Sequence, residues 1–213
     1  MNQSLDHIIW ACDDLERGSR RFEALTGVRP RYGGIHTGGL THNALVALGD
    51  RCYLEILAPT GPAVPGEDDW CRLARAAHEP RILTYCLRSS RPLSELAALA
   101  ATRGWNKAVV ASNGRTTPEG VPLRWQWLGP RSEKLGLALP FFIDWLDSPH
   151  PAESLRAEQP AAGIRLQRFA VGHPDAAELE RALRALGSAI DTYAAPDVRF
   201  QVHLETPLGA VSL

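Results

Sequence analysis

His7, His42, Asn43, Glu55, Arg124 and Asp144 stand in settings that chemistry could use. His7 interrupts the apolar run LDHIIWAC, where an imidazole is either packed and hydrogen-bonded or holds a ligand. Glu55 alternates with Tyr53, Leu54, Ile56 and Leu57 in YLEIL, so it faces either solvent or a protected interior. A carboxylate buried there without a partner is costly, which makes a bland role harder to sustain. His42 and Asn43 open a strand in THN and point to opposite faces if that strand is regular. Asp144, crowded in FFIDW, would be desolvated by its neighbours; Arg124 in LRWQW either clamps an anion bidentately or pairs with Asp144. Imidazoles and carboxylates of this kind serve proton transfer or metal binding. No nucleophile elbow, phosphate loop or dinucleotide fingerprint appears, and SNGRT at 112–116 reads as a turn. Cys12, Cys52 and Cys86 read as small buried hydrophobes, and Trp125, Trp127 and Trp145 as core or cavity wall.

The elements that must position these residues repeat. LDHIIWAC is strand-like; Asp13 caps a helix with Glu16 three residues on, and Gly27 ends it. Strands Val28–His36, Thr41–Leu48 and Cys52–Ala58 follow, giving a βαβββ unit over 5–58. A second unit covers 82–146: strand Ile82–Leu87, a helix capped by Ser90 with Pro92 in its first turn, then strands 105–111, 121–128 and 140–146. A third covers 164–213, with strand LQRFAVG, cap Asp175, terminal Gly187, and strands 188–194, 198–205 and 209–213. The connector 59–80 is Pro/Gly-rich and then helical, while 147–163 reads as a loop. The whole, 1–213, is expected to be a single body.

A βαβββ unit used in pairs, with His in its first strand and Glu in its last, resembles the vicinal oxygen chelate superfamily. LDHIIWACDDLERGSRRFEALTGVRP, GGLTHNALVALGDRCYLEILAP, LRWQW and LPFFIDWLDSPHP look like the glyoxalase-like domain proteins within it. The resemblance implies an α+β fold in which paired modules form an open barrel, or cup, with a divalent metal on its floor. Each module of such proteins lends a ligand from its first strand and one from its last. Carried onto this chain, His7 and Glu55 fill the two places of the first module. The second module offers Thr84 or Tyr85 and then Asp144 or Ile143, and the third Phe169 and Val211. The ligand set is therefore incomplete for Zn, Mn, Ni or Fe. His7/His42/Glu55 or His7/Glu55/Asp144 would make a three-ligand open site, with His36 and His150 in reserve.

The implied activity is that of a small-molecule enzyme of lyase, isomerase or dioxygenase type, acting on a substrate with adjacent oxygens. Glu55 or Asp144 would move a carbon-bound proton, and His42, Asn43 and Arg124 would contact substrate. The alternative is a non-catalytic binding or drug-sequestering protein of the same fold. Composition narrows the partners. The net charge of −1 offers no basic surface for nucleic acid, and no apolar run approaches a membrane span. The four cysteines form no CxxC and the N-terminus lacks signal-peptide character, so a cytoplasmic location is expected. The third unit would either extend the sheet or meet a second copy as a homodimer.

Overall fold

The structure, a computed structural model, describes residues 5–106, 108–158 and 163–213. The first module holds β1 (Leu5–Ala11), α1 (Leu15–Thr26), β2 (Arg31–His36), β3 (Thr41–Gly49) and β4 (Cys52–Pro59). After α2 (Asp69–Arg75), the second holds β5 (Arg81–Arg88), α3 (Leu93–Thr102), β6 (Ala111–Thr116), β7 (Pro122–Leu128) and β8 (Phe141–Asp144). Beyond α4 (Pro151–Glu158) come β9 (Arg165–His173), α5 (Ala176–Ala185), β10 (Asp191–Ala194), β11 (Arg199–Thr206) and β12 (Gly209–Ser212).

The first eight strands close a barrel in the order β1-β4-β3-β2-β6-β7-β8-β5. In each module the first strand runs parallel to the last, and the modules join antiparallel through β1·β5 and β2·β6. That arrangement relates the halves by an approximate two-fold. Strand alternation sorts side chains into two apolar clusters. Ile9, Tyr53 and Leu57 join Trp125, Phe141 and Ile143 inside the barrel, whereas Ile8, Trp10, Leu54 and Ile56 pack outward with helix residues such as Phe22 and Leu96.

Residues 165–212 build a separate four-stranded sheet, β10-β9-β11-β12. Its element order repeats that of the barrel modules, but its topology differs. Helix α5 delivers β10 beside β9, into the place that the last strand takes in the other two modules. Phe169, Val171, Val202 and Leu204 of this sheet share the outer cluster with Ile8 and Tyr85.

Several local expectations shift. Helix α1 is capped by Asp14, which accepts from Arg17 N at 2.7 Å, one residue after Asp13; Gly27 does end it, in the left-handed region at φ 75°. Pro92, not Ser90, stands at the N-cap of α3, and no side chain caps it. The segment 147–163 contains helix α4, because Ala152 and Leu155 find room against the inner cluster; residues 159–162 lie outside the described residues. Strand β6 spans Ala111–Thr116 instead of 105–111, so SNGRT is strand and not turn. Gly114 is there for close approach: a Cβ would lie 2.7 Å from Leu123 O on the neighbouring strand.

Candidate functional site

His7 on β1 and Glu55 on β4 both turn into the cup, His7 Nε2 lying 3.6 Å from Glu55 Oε2. Both are buried, at 3% and 6% exposure. What aims the imidazole is a bulge: the β1·β5 register shifts between Leu5 and His7, so the extra residue, Asp6, falls on the same side as its neighbour. His7 Nδ1 donates to Asp6 Oδ1 at 2.7 Å, and the ring stacks on Tyr53 at 4.6 Å.

Asp6 itself is fully buried and gathers further donors: Arg88 Nη1 at 3.2 Å, His150 Nε2 at 3.1 Å and Trp145 Nε1 at 3.3 Å. Burial opposes its charge, but the hydrogen bonds from His150 and His7 outweigh that and hold the carboxyl well below the usual carboxylate range. An ionised Asp6 only accepts, so His7 carries its proton on Nδ1 and, when neutral, presents a lone pair at Nε2.

From β2, His36 brings Nε2 to 3.5 Å from Glu55 Oε1, while its Nδ1 meets Thr41 Oγ1 at 2.9 Å. Burial holds this imidazole below its ordinary value, so it is neutral at pH 7. Asn43 on β3 donates to Glu55 Oε1 at 2.9 Å, and its Nδ2 lies 3.3 Å from His36 Nε2. Its Oδ1 is buried with no partner among the described residues. A Cβ on Gly33 would lie 2.3 Å from that oxygen, so glycine there makes room for the amide.

The second half of the cup answers differently. Cys86 and Ile143 occupy the places of His7 and Glu55 by strand register, and Arg115 the place of His36, directly across from it. The wall there is aromatic, with Trp125, Trp127, Trp145 and Phe141, and Trp70 of α2 completes it. Asp6, His7 and Cys86 bring ligand atoms within 4.8 Å of one another, but the Asp6 oxygens are already engaged and burial pushes the Cys86 thiol well up. That trio is a poor cation site. His7, Glu55 and His36 have both Nδ1 atoms anchored and both Nε2 atoms facing one carboxylate, as ligands oriented by outer hydrogen bonds do, with their ligand atoms spread more widely than in that trio.

Of the residues singled out in the sequence, His7, Asn43 and Glu55 come together. His42 faces away from the cup, half-buried near Tyr32, with ring centroids 6.1 Å apart. Asp144 is exposed at the end of β8, accepting from Leu146 N at 2.9 Å. Arg124 is exposed too, and neither it nor Asp144 lines the cup. In both cases alternation decides: Ile143 and Trp125 take the inward positions. His150 serves Asp6 from outside the cup. Sequence reasoning missed Asp6, whose signal was the acid directly before His7. It also missed Arg115, hidden in a segment whose Asn-Gly pair mimics a turn.

A barrel of two βαβββ modules with an imidazole–carboxylate floor defines a protein of the vicinal oxygen chelate superfamily. The chain belongs to the Glyoxalase-like domain family, which matches residues 5–187. A hypothetical protein from Staphylococcus aureus is similar in fold, with TM-score 0.62 and 16% identity over 95% of this chain and 81% of that one. A Streptomyces coelicolor methylmalonyl-CoA epimerase, in complex with 2-nitronate-propionyl-CoA, gives TM-score 0.45 and 15% identity over 71% of this chain and 100% of its own. A hypothetical protein from Bacillus halodurans gives TM-score 0.47 and 15% identity, covering 68% of this chain and 96% of that one. No curated protein matches the chain.

Proposed function

We propose that the protein is a small-molecule enzyme of the glyoxalase-like kind whose cup holds a divalent cation at His7 Nε2, Glu55 and His36 Nε2. One observation carries this reading. Two imidazole nitrogens, at 3.6 and 3.5 Å, face the two oxygens of one buried carboxylate. Asn43 Nδ2 already lies against both His36 Nε2 and Glu55 Oε1, but between His7 Nε2 and Oε2 facing lone pairs repel unless a proton or a cation lies there. Such a cation would act as a Lewis acid toward a substrate with adjacent oxygens.

The chain's own residues do the rest. Asp6 fixes the His7 tautomer, and Tyr53 and Phe141 hold its ring from a face and an edge. Asn43 orients Glu55 through Oε1, so Oε2, the oxygen facing His7, is the one that would take a carbon-bound proton from a substrate placed over the floor. The aromatic wall excludes water from that transfer. Asp144, turned to the Leu146 amide, has no part in it. Isomerase or lyase chemistry follows from a base beside a polarised carbonyl.

The rival reading is a binding protein without catalysis, favoured by Cys86 and Ile143 at the places where a second pair of ligands would sit. Elemental analysis separates the two. The enzyme reading expects about one Zn, Mn, Ni or Fe per chain, lost in His7→Ala and Glu55→Gln with the fold retained. Metal-free protein that takes up none of these ions on titration would leave the binder.

A further inference from the structure

Arg115 is 7% exposed, and its guanidinium reaches under β2, where Nη1 donates to Gly33 O. That uses one of five N–H donors. Among the described residues no carboxylate lies within ion-pair distance of it; burial pulls its pKa down, and Glu55 and Glu119 oppose this only from longer range. The two acids on the cavity wall are engaged elsewhere: Glu55 with Asn43, and Asp68 with Cys71 N at 2.8 Å as the cap of α2. A cation held by Glu55 would leave the floor more positive still.

Around this charge the wall is aromatic. Trp70 meets Phe141 at 5.3 Å and Trp127 at 6.2 Å, and Trp125 meets Trp145 at 5.2 Å. All four contributing rings besides Phe141 are indoles, and none of these pairs stacks face to face; Arg131 lies over the Trp70 ring at 5.8 Å, so one face of Trp70 and the faces of the other indoles remain for a flat ring. A buried guanidinium short of acceptors, lining the same cavity as these rings, matches one kind of ligand.

We infer that the cup takes small aromatic carboxylates, with the acid group on Arg115 and the ring against Trp70, Trp125 and Trp127. This rests on the proposed cup site and adds the substrate class to it. Arg115 is a specificity residue here: it discriminates by charge, whereas the tryptophans discriminate by shape.

The test uses the full chain and tryptophan fluorescence or calorimetry with three probes: 3-phenylpropionate, its neutral counterpart 3-phenylpropan-1-ol, and propionate. None of them presents adjacent oxygens beyond a carboxylate, so metal uptake is measured separately. 3-Phenylpropionate is expected to bind about 30-fold or more tightly than either comparator. Arg115→Met should abolish that margin while leaving the alcohol unchanged, and Arg115→Lys should keep part of it. Trp70→Ala should weaken 3-phenylpropionate and leave propionate alone. If 3-phenylpropionate binds no better than the alcohol, or equally well to Arg115→Met, the inference is overturned. The first comparison decides even if neither Arg115 variant folds. Failure of the probes beside stoichiometric metal at His7 and Glu55 overturns this inference alone; failure of both overturns the proposed function as well.

Discussion

At the scale of single residues, Glu55 and Asp6 carry opposite expectations. Glu55→Gln keeps the shape and the bond from Asn43 but removes a charge from a buried place. The melting temperature should hold or rise, while bound metal falls and turnover, once a substrate is found, drops by about 10²–10⁴. Calorimetry and metal analysis on one preparation check this; a destabilised variant with normal metal content would sink the assignment. Asp6→Asn removes the charge on which His7, His150 and Arg88 converge. Breaking such a buried network should cost about 3–5 kcal/mol. The pH dependence follows from its depressed carboxyl. Above about pH 5 folded and unfolded states are both ionised and the contribution is complete. Below that the unfolded chain takes up a proton that the folded one refuses, so the contribution is lost as pH falls. Urea titrations should therefore show the gap between wild type and Asp6→Asn shrinking as pH falls below about 5. The His7–Glu55 pair was legible because each interrupts an apolar alternation. Asp6 was not, since a bulge, which no periodicity announces, turns it to the same side as His7.

At the scale of elements, strand and helix order could be read from the chain, and the misreadings share a cause. Caps depend on which backbone amide a side chain reaches. Asp175 does accept from Glu178 N at 3.0 Å, as its spacing implies, whereas Ser90 lies beyond the reach of α3. Asp175→Ala should thus cost about 1 kcal/mol and Ser90→Ala stay within about 0.5 kcal/mol, measured by thermal melts. Helix α4 went unread because Pro and Ala at its start resemble a linker until the inner cluster offers Leu155 a place. Strand β6 went unread because glycine between strands serves closeness as well as turning. Gly33 on β2 tests that second use: Gly33→Ala places a Cβ into the Asn43 amide and Leu45. It should cost about 1–3 kcal/mol and lower metal uptake, through Asn43 losing its hold on Glu55.

At the scale of the molecule, the outer core joins barrel and second sheet: Tyr85 of β5 meets Phe169 of β9 at 4.9 Å and Phe200 of β11 at 6.1 Å. Separate unfolding would expose this shared cluster on both sides. Near- and far-UV circular dichroism should therefore report one coincident transition, and two resolved transitions would show the sheet to be an independent unit. The barrel itself is stitched unevenly. The β1·β5 seam is paired from Leu5 to Ala11, but across the other seam only Ile35 with Thr116 and His36 with Arg115 are in register. A ring fastened firmly on one side and lightly on the other is built like a clasp, and is expected to open first at the short seam. The short seam runs between His36 and Arg115, the proposed cation ligand and the proposed anchor of the ligand's acid group. A molecule bridging both would draw the clasp shut. Amide exchange along Ile35–His36 and Arg115–Thr116 should accordingly be faster than along β1 in the empty protein, and should slow most there once an aromatic acid is bound.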